Sequence, residues 1–437
     1  MTRMRKFQTR TFALVMVLGI STPLRAQTNA DIDAYYPDLR MLYEDIHRNP
    51  ELAFQEVQTA AKLAARLKAL GYEVTTGVGR TGVVGILKNG TGPTVMLRTE
   101  LDALPIAEKT GAPFASTVVT KNLAGVTVPV MHACGHDLHM TAWTGTATWM
   151  AEHRQQWHGT LMLVGQPAEE TIGGAEAMLK DGLFTRFPKP DYVIGLHDDD
   201  SMPAGTIGYH AGPFRAISIS PTLTMYGRGG HGAMPFNTID PVVMAARTVM
   251  ALQTIVSREN DPMDPVVLTI GSIHGGTQAN VIPDEVTLGL NIRTYSDETQ
   301  QRVLAAVMRI ARGEAAAAGA PREPAMTRPE AGHVVVNDPM LTRRVAAALQ
   351  KAMDAQQVVE MPAKMTSEDF AEYGRAGVPA LLLHIGAVSP AKLAESKRTG
   401  IPVPAPHSPE WLPDLEPTLK AAGRAETVAL LDLFNNK

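Results

Sequence analysis

Leu161-Met162-Leu163-Val164 runs directly into Gly165-Gln166-Pro167-Ala168-Glu169-Glu170, a short apolar stretch that ends in two adjacent acids. Four apolar residues in a row leave no face for water, so a strand here is expected to be covered on both sides. Similar runs occupy residues 81–87, 94–98, 191–196 and 380–385. Between them apolar residues recur at helical spacing: over 32–48, over 56–70 with Gly71 as a stop, from the Cys134 segment to Arg154, after Asn337, and over 415–433. Helices alternating with doubly buried strands predict an α/β layer fold. At 437 residues the chain exceeds one ordinary core, since domains run about 50–250 residues, and two domains are expected.

Near Gly212 the pattern changes. Residues 216–226 alternate apolar with polar, a helix is expected over 241–258, strands over 266–273 and 286–295, a helix over 298–318 and a last strand near 325–327. This order reads as a ferredoxin-like α+β insert, residues 213–330, leaving 27–212 and 331–437 for the first domain. The alternation implies one wet face, or a face covered by a partner.

Residues of the metal-ligating kind stand where the apolar runs end. In His132-Ala133-Cys134-Gly135-His136-Asp137, Cys134 and His136 would face the same side of an extended segment, with Gly135 letting the backbone approach an ion. Cys134 is the single cysteine, and its flanking by His132, His136, Asp137 and His139 favours a metal thiolate over an inert buried thiol. The side chains of Glu169 and Glu170 diverge, so one carboxylate can hold a cation while the other faces a reacting water. Gly195-Leu196-His197-Asp198 ends the next strand run at the same sheet edge, where open α/β sheets place their sites. His407, in Pro406-His407-Ser408-Pro409, would by itself read as a surface histidine. It completes a set of five with Cys134, His136, Glu170 and His197, and five ligands fit two metals better than one tetrahedral ion. The reaction class this predicts is metal-dependent hydrolysis.

Other stretches carry less. Gly227-Arg228-Gly229-Gly230-His231-Gly232-Ala233 reads equally as a tight turn presenting His231 to a ligand or as a hairpin with an exposed histidine. Asn280 and Arg293, taken alone, are structural or solvated. Gly77-Val78-Gly79-Arg80-Thr81-Gly82 matches a dinucleotide fingerprint, but Val83-Val84-Gly85-Ile86-Leu87 reads as a strand where a phosphate-binding helix should begin.

The N-terminus opens Met1-Thr2-Arg3-Met4-Arg5-Lys6, followed by an apolar stretch over 11–20 and Ser21-Thr22-Pro23-Leu24-Arg25-Ala26-Gln27. This is the pattern of a secretory signal peptide, with cleavage after Ala26 and a periplasmic or secreted product. The apolar stretch is shorter than the roughly 18 residues needed to span a bilayer. Loss of residues 1–26 removes Arg3, Arg5, Lys6, Arg10 and Arg25 and no acid, taking the formal charge from −4 to −9. So acidic a protein is a poor partner for nucleic acid or an anionic membrane.

Taken together these motifs resemble the aminoacylase and carboxypeptidase family of two-metal peptidases, in the branch of hippurate hydrolases and indole-acetyl-amino-acid amidohydrolases. The likeness runs through His47-Arg48-Asn49-Pro50-Glu51-Leu52, residues 97–105, 131–137, 166–170, 195–197, 229–235, 280–284, Ser367-Glu368-Asp369-Phe370 and His407. It implies a mixed-sheet catalytic domain with an inserted lid that mediates homodimerisation. It also implies two divalent ions, zinc or manganese with cobalt or nickel as alternatives, on Cys134, His136, Glu170, His197 and His407, with Glu169 as base. His231, Asn280 and Arg293 would contact a small substrate, an N-acyl amino acid or dipeptide, in some relatives across the dimer. Three departures stand out: Glu100 where an aspartate is usual, Phe236 after Pro235, and Asp198-Asp199-Asp200 after His197, the last two expected near the pocket. The competing reading is a non-catalytic binding protein of the same fold.

Overall fold

The computed structural model describes residues 24–329 and 331–436. The signal peptide expected at 1–26 lies, up to position 23, outside the described residues. No helix among the described residues is long and apolar enough to cross a membrane.

An eight-stranded mixed sheet runs, edge to edge, Glu73–Val78, Gly82–Asn89, Gly159–Gln166, Thr94–Glu100, Tyr192–Pro203, Ala380–Val388, Ile207–Tyr209 and Val358–Glu360. Its middle four strands are mutually parallel, and antiparallel pairs flank them. The apolar runs explain themselves through the two-residue period of a strand. Leu161 and Leu163 enter one core beside Val95, Leu97, Ile194 and Leu383. Met162 and Val164 point the other way, into a core with Met96, Val193 and Leu382. The first face is closed by helices Leu24–Arg48, Val57–Ala69, His136–Glu152, Pro339–Ala352 and Leu415–Asn435, which contribute Tyr43, Leu63, Trp143, Val345 and Leu430. The second receives Met178, Phe370 and Tyr373. Each such buried side chain is worth about 1.5–3 kcal/mol over its exposed state.

The glycine fingerprint proves to be a hairpin: Gly77 takes positive φ at the register shift within the strand Glu73–Val78, and Gly79 and Arg80 do so in the turn to the antiparallel strand Gly82–Asn89. That first strand was not anticipated, because it is short, polar and largely exposed at the sheet edge.

A second, antiparallel sheet follows the expected order. Val267–His274 pairs with Glu285–Thr294, which pairs on its other edge with Ile217–Ile219 and Thr222–Tyr226, and the latter pairs with Ala325–Met326. Helices Pro241–Thr254 and Asp297–Ala317 share a core with it, through Leu252 and Val307 against Leu223, Leu288 and Ile292. Asp240 and Ser296 cap these helices by accepting backbone N–H bonds from Val242 and Thr299. The crossover order is that of a ferredoxin-like sheet.

Below the main sheet edge, His47 at the end of Leu24–Arg48 is buried between two acids. Its Nδ1 lies 2.6 Å from Asp137 and its Nε2 3.0 Å from Glu108. Both ring nitrogens face carboxylate oxygens, so both carry protons and the ring is cationic. Burial opposes that charge, but the two acids prevail and hold its pKa up to about 10. His47→Ala leaves two buried carboxylates without their cation and should cost about 3–5 kcal/mol at pH 7. Because the folded pKa is raised above the ordinary value near 6.5, the stabilisation is complete below that pH and fades as pH rises through about 10. Denaturant melts of the two proteins should therefore converge on the alkaline side.

Candidate active site

The parallel strands end level with one another: Glu100 pairs with Gln166, and His197 with His384. Asp102, two residues beyond the Thr94–Glu100 strand, ties these ends together. Its Oδ1 and Oδ2 each accept a backbone N–H, from Glu169 and Glu170, at 3.0 Å. Its carbonyl oxygen lies 2.7 Å from His136 Nδ1. A carbonyl can only accept, so His136 Nδ1 carries the proton and the Nε2 lone pair is left for another partner. That Nε2 is buried with no hydrogen bond, and so is Glu170 Oε1, 4.0 Å away. His197 is oriented in the same manner, with Nδ1 2.8 Å from the carbonyl oxygen of Asp198 and Nε2 3.6 Å from Cys134 Sγ. His407 Nε2 lies 3.3 Å from Glu170 Oε2.

The five expected ligands therefore converge. Donor atoms of Cys134, His136 and His197 lie within 4.8 Å of one another, as do those of Cys134, Glu170 and His407. These two groups share Cys134, so they could hold two adjacent cations. Orphaned, buried His and Glu atoms beside a thiol form a donor set suited to divalent metal. Glu169 Oε2 stands 3.8 Å from His136 Nε2 at the edge of both groups. Burial, then Glu368, Glu170, Asp369 and Asp102, push the Glu169 carboxyl well above its usual range. Burial, then Glu170, Asp198 and Glu169, raise the Cys134 thiol, which becomes a thiolate on binding a cation. His407 is held neutral, pushed down to about 4 chiefly by burial, as holding a cation would need.

Local backbone geometry makes this convergence possible. Gly135 has φ 76° and precedes the helix His136–Glu152, so the Cys134 and His136 side chains meet through a left-handed turn and not along an extended segment as the spacing suggested. A Cβ there would lie 2.2 Å from Asp198 Oδ2, so the close approach Gly135 permits is to a carboxylate. Ala168 and Ile172, at φ 52° and 54°, bracket the turn that carries Glu169 and Glu170. A left-handed non-glycine residue costs about 1–3 kcal/mol. The Ala168 N–H donates to buried Glu56 at 2.8 Å, which with the Asp102 bonds offsets that strain. His407 is also left-handed, at φ 71°, and its N–H is bound to the Ala133 carbonyl at 2.7 Å.

Under the site, fully buried Arg98 donates to Gln166 at 2.9 Å, Glu368 at 2.8 Å and Asp369 at 3.0 Å, and it pairs with Glu100. Glu100 Oε2 lies 3.0 Å from His139 Nδ1. The longer acid at position 100 thus spans Arg98 and His139.

A cleft of about 1010 Å³ opens above, between the two sheets. Arg293 lines it, bonded through Nη1 to the Met365 carbonyl at 2.7 Å. His231 and Asn280 do not line it. They sit together on an exposed two-stranded ribbon of the lid, Gly230–His231 against Val281–Ile282, where Gly232 N–H donates to the Asn280 carbonyl at 2.8 Å. Phe236, expected near the pocket, is 81% exposed on the turn Pro235–Asn237, outside the cleft, because that turn follows directly on the exposed Gly230–His231 strand. Asp198, Asp199 and Asp200 do line the cleft. Residue reading missed Asp102, Arg215 and His384 as site residues. Asp102 was legible as an acid just past a strand end, whereas Arg215 and His384 reach the cleft only through the fold.

Asp102→Asn keeps the shape but sets an NH2 group against one of the two N–H donors of Glu169 and Glu170. Loss of an orienting partner of this kind typically weakens metal binding about 10–100-fold. Chelator competition should show that loss, with turnover falling alongside it.

Comparison with known proteins agrees with this geometry. Residues 96–399 match peptidase family M20/M25/M40. Over 284 residues the chain is 40% identical to a hippurate hydrolase from Campylobacter jejuni subsp. jejuni, covering 64% of this chain and 70% of that one. It is 36% identical over 330 residues to N-acetyl-L-cysteine deacetylase from Bacillus subtilis, across 75% of each chain. Among solved structures, a dinuclear metal binding peptidase of the M20 family from Bacillus subtilis superposes with a TM-score of 0.74 at 28% identity, over 93% of this chain and 100% of that one. With the expected motifs gathered at one sheet edge and the match spanning most of the chain, this protein belongs to the M20/M25/M40 family of peptidases, hydrolases of amide bonds.

Proposed function

We propose that the protein hydrolyses the amide bond of an N-acyl amino acid, or of a small peptide with a free carboxylate, with two divalent ions held by Cys134, His136, Glu170, His197 and His407. The observation that carries this reading is the pair of donor groups sharing Cys134, with Glu169 beside both. The names of the hippurate hydrolase and the N-acetyl-L-cysteine deacetylase support the substrate class. A thiolate in the set favours zinc, while manganese, cobalt or nickel suit the imidazole and carboxylate donors. When bound, such ions lower the pKa of water toward about 7 and polarise a carbonyl.

The chain's own groups do the rest. Glu169 takes a proton from the attacking water as its oxygen bonds to the amide carbon, then delivers that proton to the nitrogen as the C–N bond breaks. Free acid and amine leave. A carboxyl whose surroundings raise its proton affinity suits a group that accepts and returns a proton. Arg293 meets the substrate carboxylate. His231 Nδ1 accepts the Ala233 N–H at 3.0 Å, so its Nε2 carries the proton and is a free donor for the oxyanion. Since His231 and Asn280 lie away from the cleft of their own chain, a second copy supplies them. Exposed Met234, Phe236, Val242, Val243 and Met250 on the same lid offer an apolar face for that homodimer. Residues 1–26 direct export, and Gln27 begins the mature chain.

Glu169→Gln should retain two metals per chain by elemental analysis while turnover of N-acetyl and N-benzoyl amino acids falls by at least about 100-fold. Unchanged hydrolysis would refute the base. Mixing the inactive Glu169→Gln and His231→Ala proteins should restore activity, because a mixed dimer holds one site with both groups intact. No recovery from a verified mixed dimer would refute the supply of His231 by a second copy.

A further inference from the structure

Arg215 is only 5% exposed, yet it lines the cleft. Its Nη2 donates to His384 Nε2 at 3.1 Å. Since that nitrogen accepts, His384 carries its proton on Nδ1 and gives it to Asp199 at 2.8 Å. Asp199 is itself paired with Lys364, which also lies 3.9 Å from Asp200. The acid nearest to Arg215 along this chain of contacts is therefore committed to a lysine and reaches the guanidinium only through a neutral ring. Arg215 Nε is buried with no partner.

Arg293 stands on the same wall. The segment 364–366 runs beside Arg215, with Lys364 N–H bonded to the Phe214 carbonyl and Ala216 N–H to the Thr366 carbonyl, and Arg293 grips the Met365 carbonyl between them. Neither arginine has a carboxylate partner among the described residues; their bonds go to His384, Asn291 and Met365. A buried cation such as Arg215 with no ion-pair partner is costly, and the guanidinium fork matches carboxylate geometry. An N-acyl amino acid brings one carboxylate, which Arg293 accounts for. The second cation is surplus to that substrate.

We propose that the substrate carries a second carboxylate and that Arg215, held in place by the Lys364–Asp199–His384 chain, is the specificity-determining residue that receives it. This rests on the amidohydrolase reading above. The second carboxylate belongs either to an acidic amino-acid side chain or to the far end of a dicarboxylic acyl group.

The test compares acid and neutral amide partners on the full chain loaded with metal: N-acetylglutamate against N-acetylglutamine, and N-succinylglycine against its succinamoyl counterpart. In at least one pair the acid should exceed the amide in kcat/KM by about 10-fold or more, and the pair that does so names the source. Read as a ratio within each protein, that preference should collapse toward one in Arg215→Met and persist in part in Arg215→Lys. A wild-type ratio near one in both pairs, or a ratio unmoved by Arg215→Met, overturns the assignment. Calorimetry without added metal gives a second readout, in which glutarate should bind wild-type protein about 10-fold more tightly than glutaramate. If no amide is cleaved but glutarate is preferred, the amidohydrolase reading fails and the anion site stands. If glutarate is not preferred, the anion site fails whatever the enzyme cleaves.

Discussion

One carboxylate holds the site together. Asp102 accepts the N–H groups of Glu169 and Glu170 and, through its own carbonyl oxygen, orients His136. It thereby couples the ends of two parallel strands to the first turn of the helix His136–Glu152. Without those bonds the left-handed turn at Ala168 keeps Glu56 and its own local bonds, such as Gly174 N–H to the Ala168 carbonyl at 3.2 Å, but loses its tie to the neighbouring strand. Glu169 and Glu170 are adjacent in sequence, so a small rotation of that turn would exchange which of them faces Cys134, His136 and His407. Asp102 removes that freedom by binding both N–H groups at once.

A second constraint is electrostatic. The sheet edge buries Glu100, Asp102, Glu169, Glu368 and Asp369 close together, and the first answer to that negative charge is Arg98, which reaches three of them. Burying so many acids costs more than a single cation returns. The residual negative potential is what a pair of divalent ions would neutralise, so the fold stores an affinity for cations in its carboxylate crowding. Arg215 and Arg293, which also line the cleft, show the reverse imbalance, with guanidinium groups bonded to His384, Asn291 and Met365 and to no carboxylate among the described residues.

Much of this was legible in the residues because strands and their ends have simple signatures. The runs at 94–98, 161–164, 191–196 and 380–385 are apolar on both faces and form the parallel centre of the sheet. Their C-terminal ends carry Asp102, Glu169, Glu170 and His197, where such sheets place their sites. The lid's order of strands and helices was equally clear, since period two and period 3.6 alternate there without long loops. Less visible were the edge strands Glu73–Val78 and Val358–Glu360, which are short and half exposed. The turn at Gly135 was misread as extended chain because spacing alone does not distinguish two side chains on a strand from two brought together by a left-handed glycine.

The order of residues determined which atoms are available: a lone thiol, three imidazoles and two adjacent acids, most of them at the close of an apolar run and His407 in a proline-rich loop, and hence the class of chemistry. It also determined the two-sheet architecture, because hydrophobic period is a local property. Tertiary structure alone decided which of the candidates share a cleft. It placed Arg293, Arg215 and His384 around one cleft and left His231, Asn280 and Phe236 exposed outside it. The reason is physical: proximity across 169 residues, as between Arg215 and His384, depends on how layers stack and cross, and no local pattern records it.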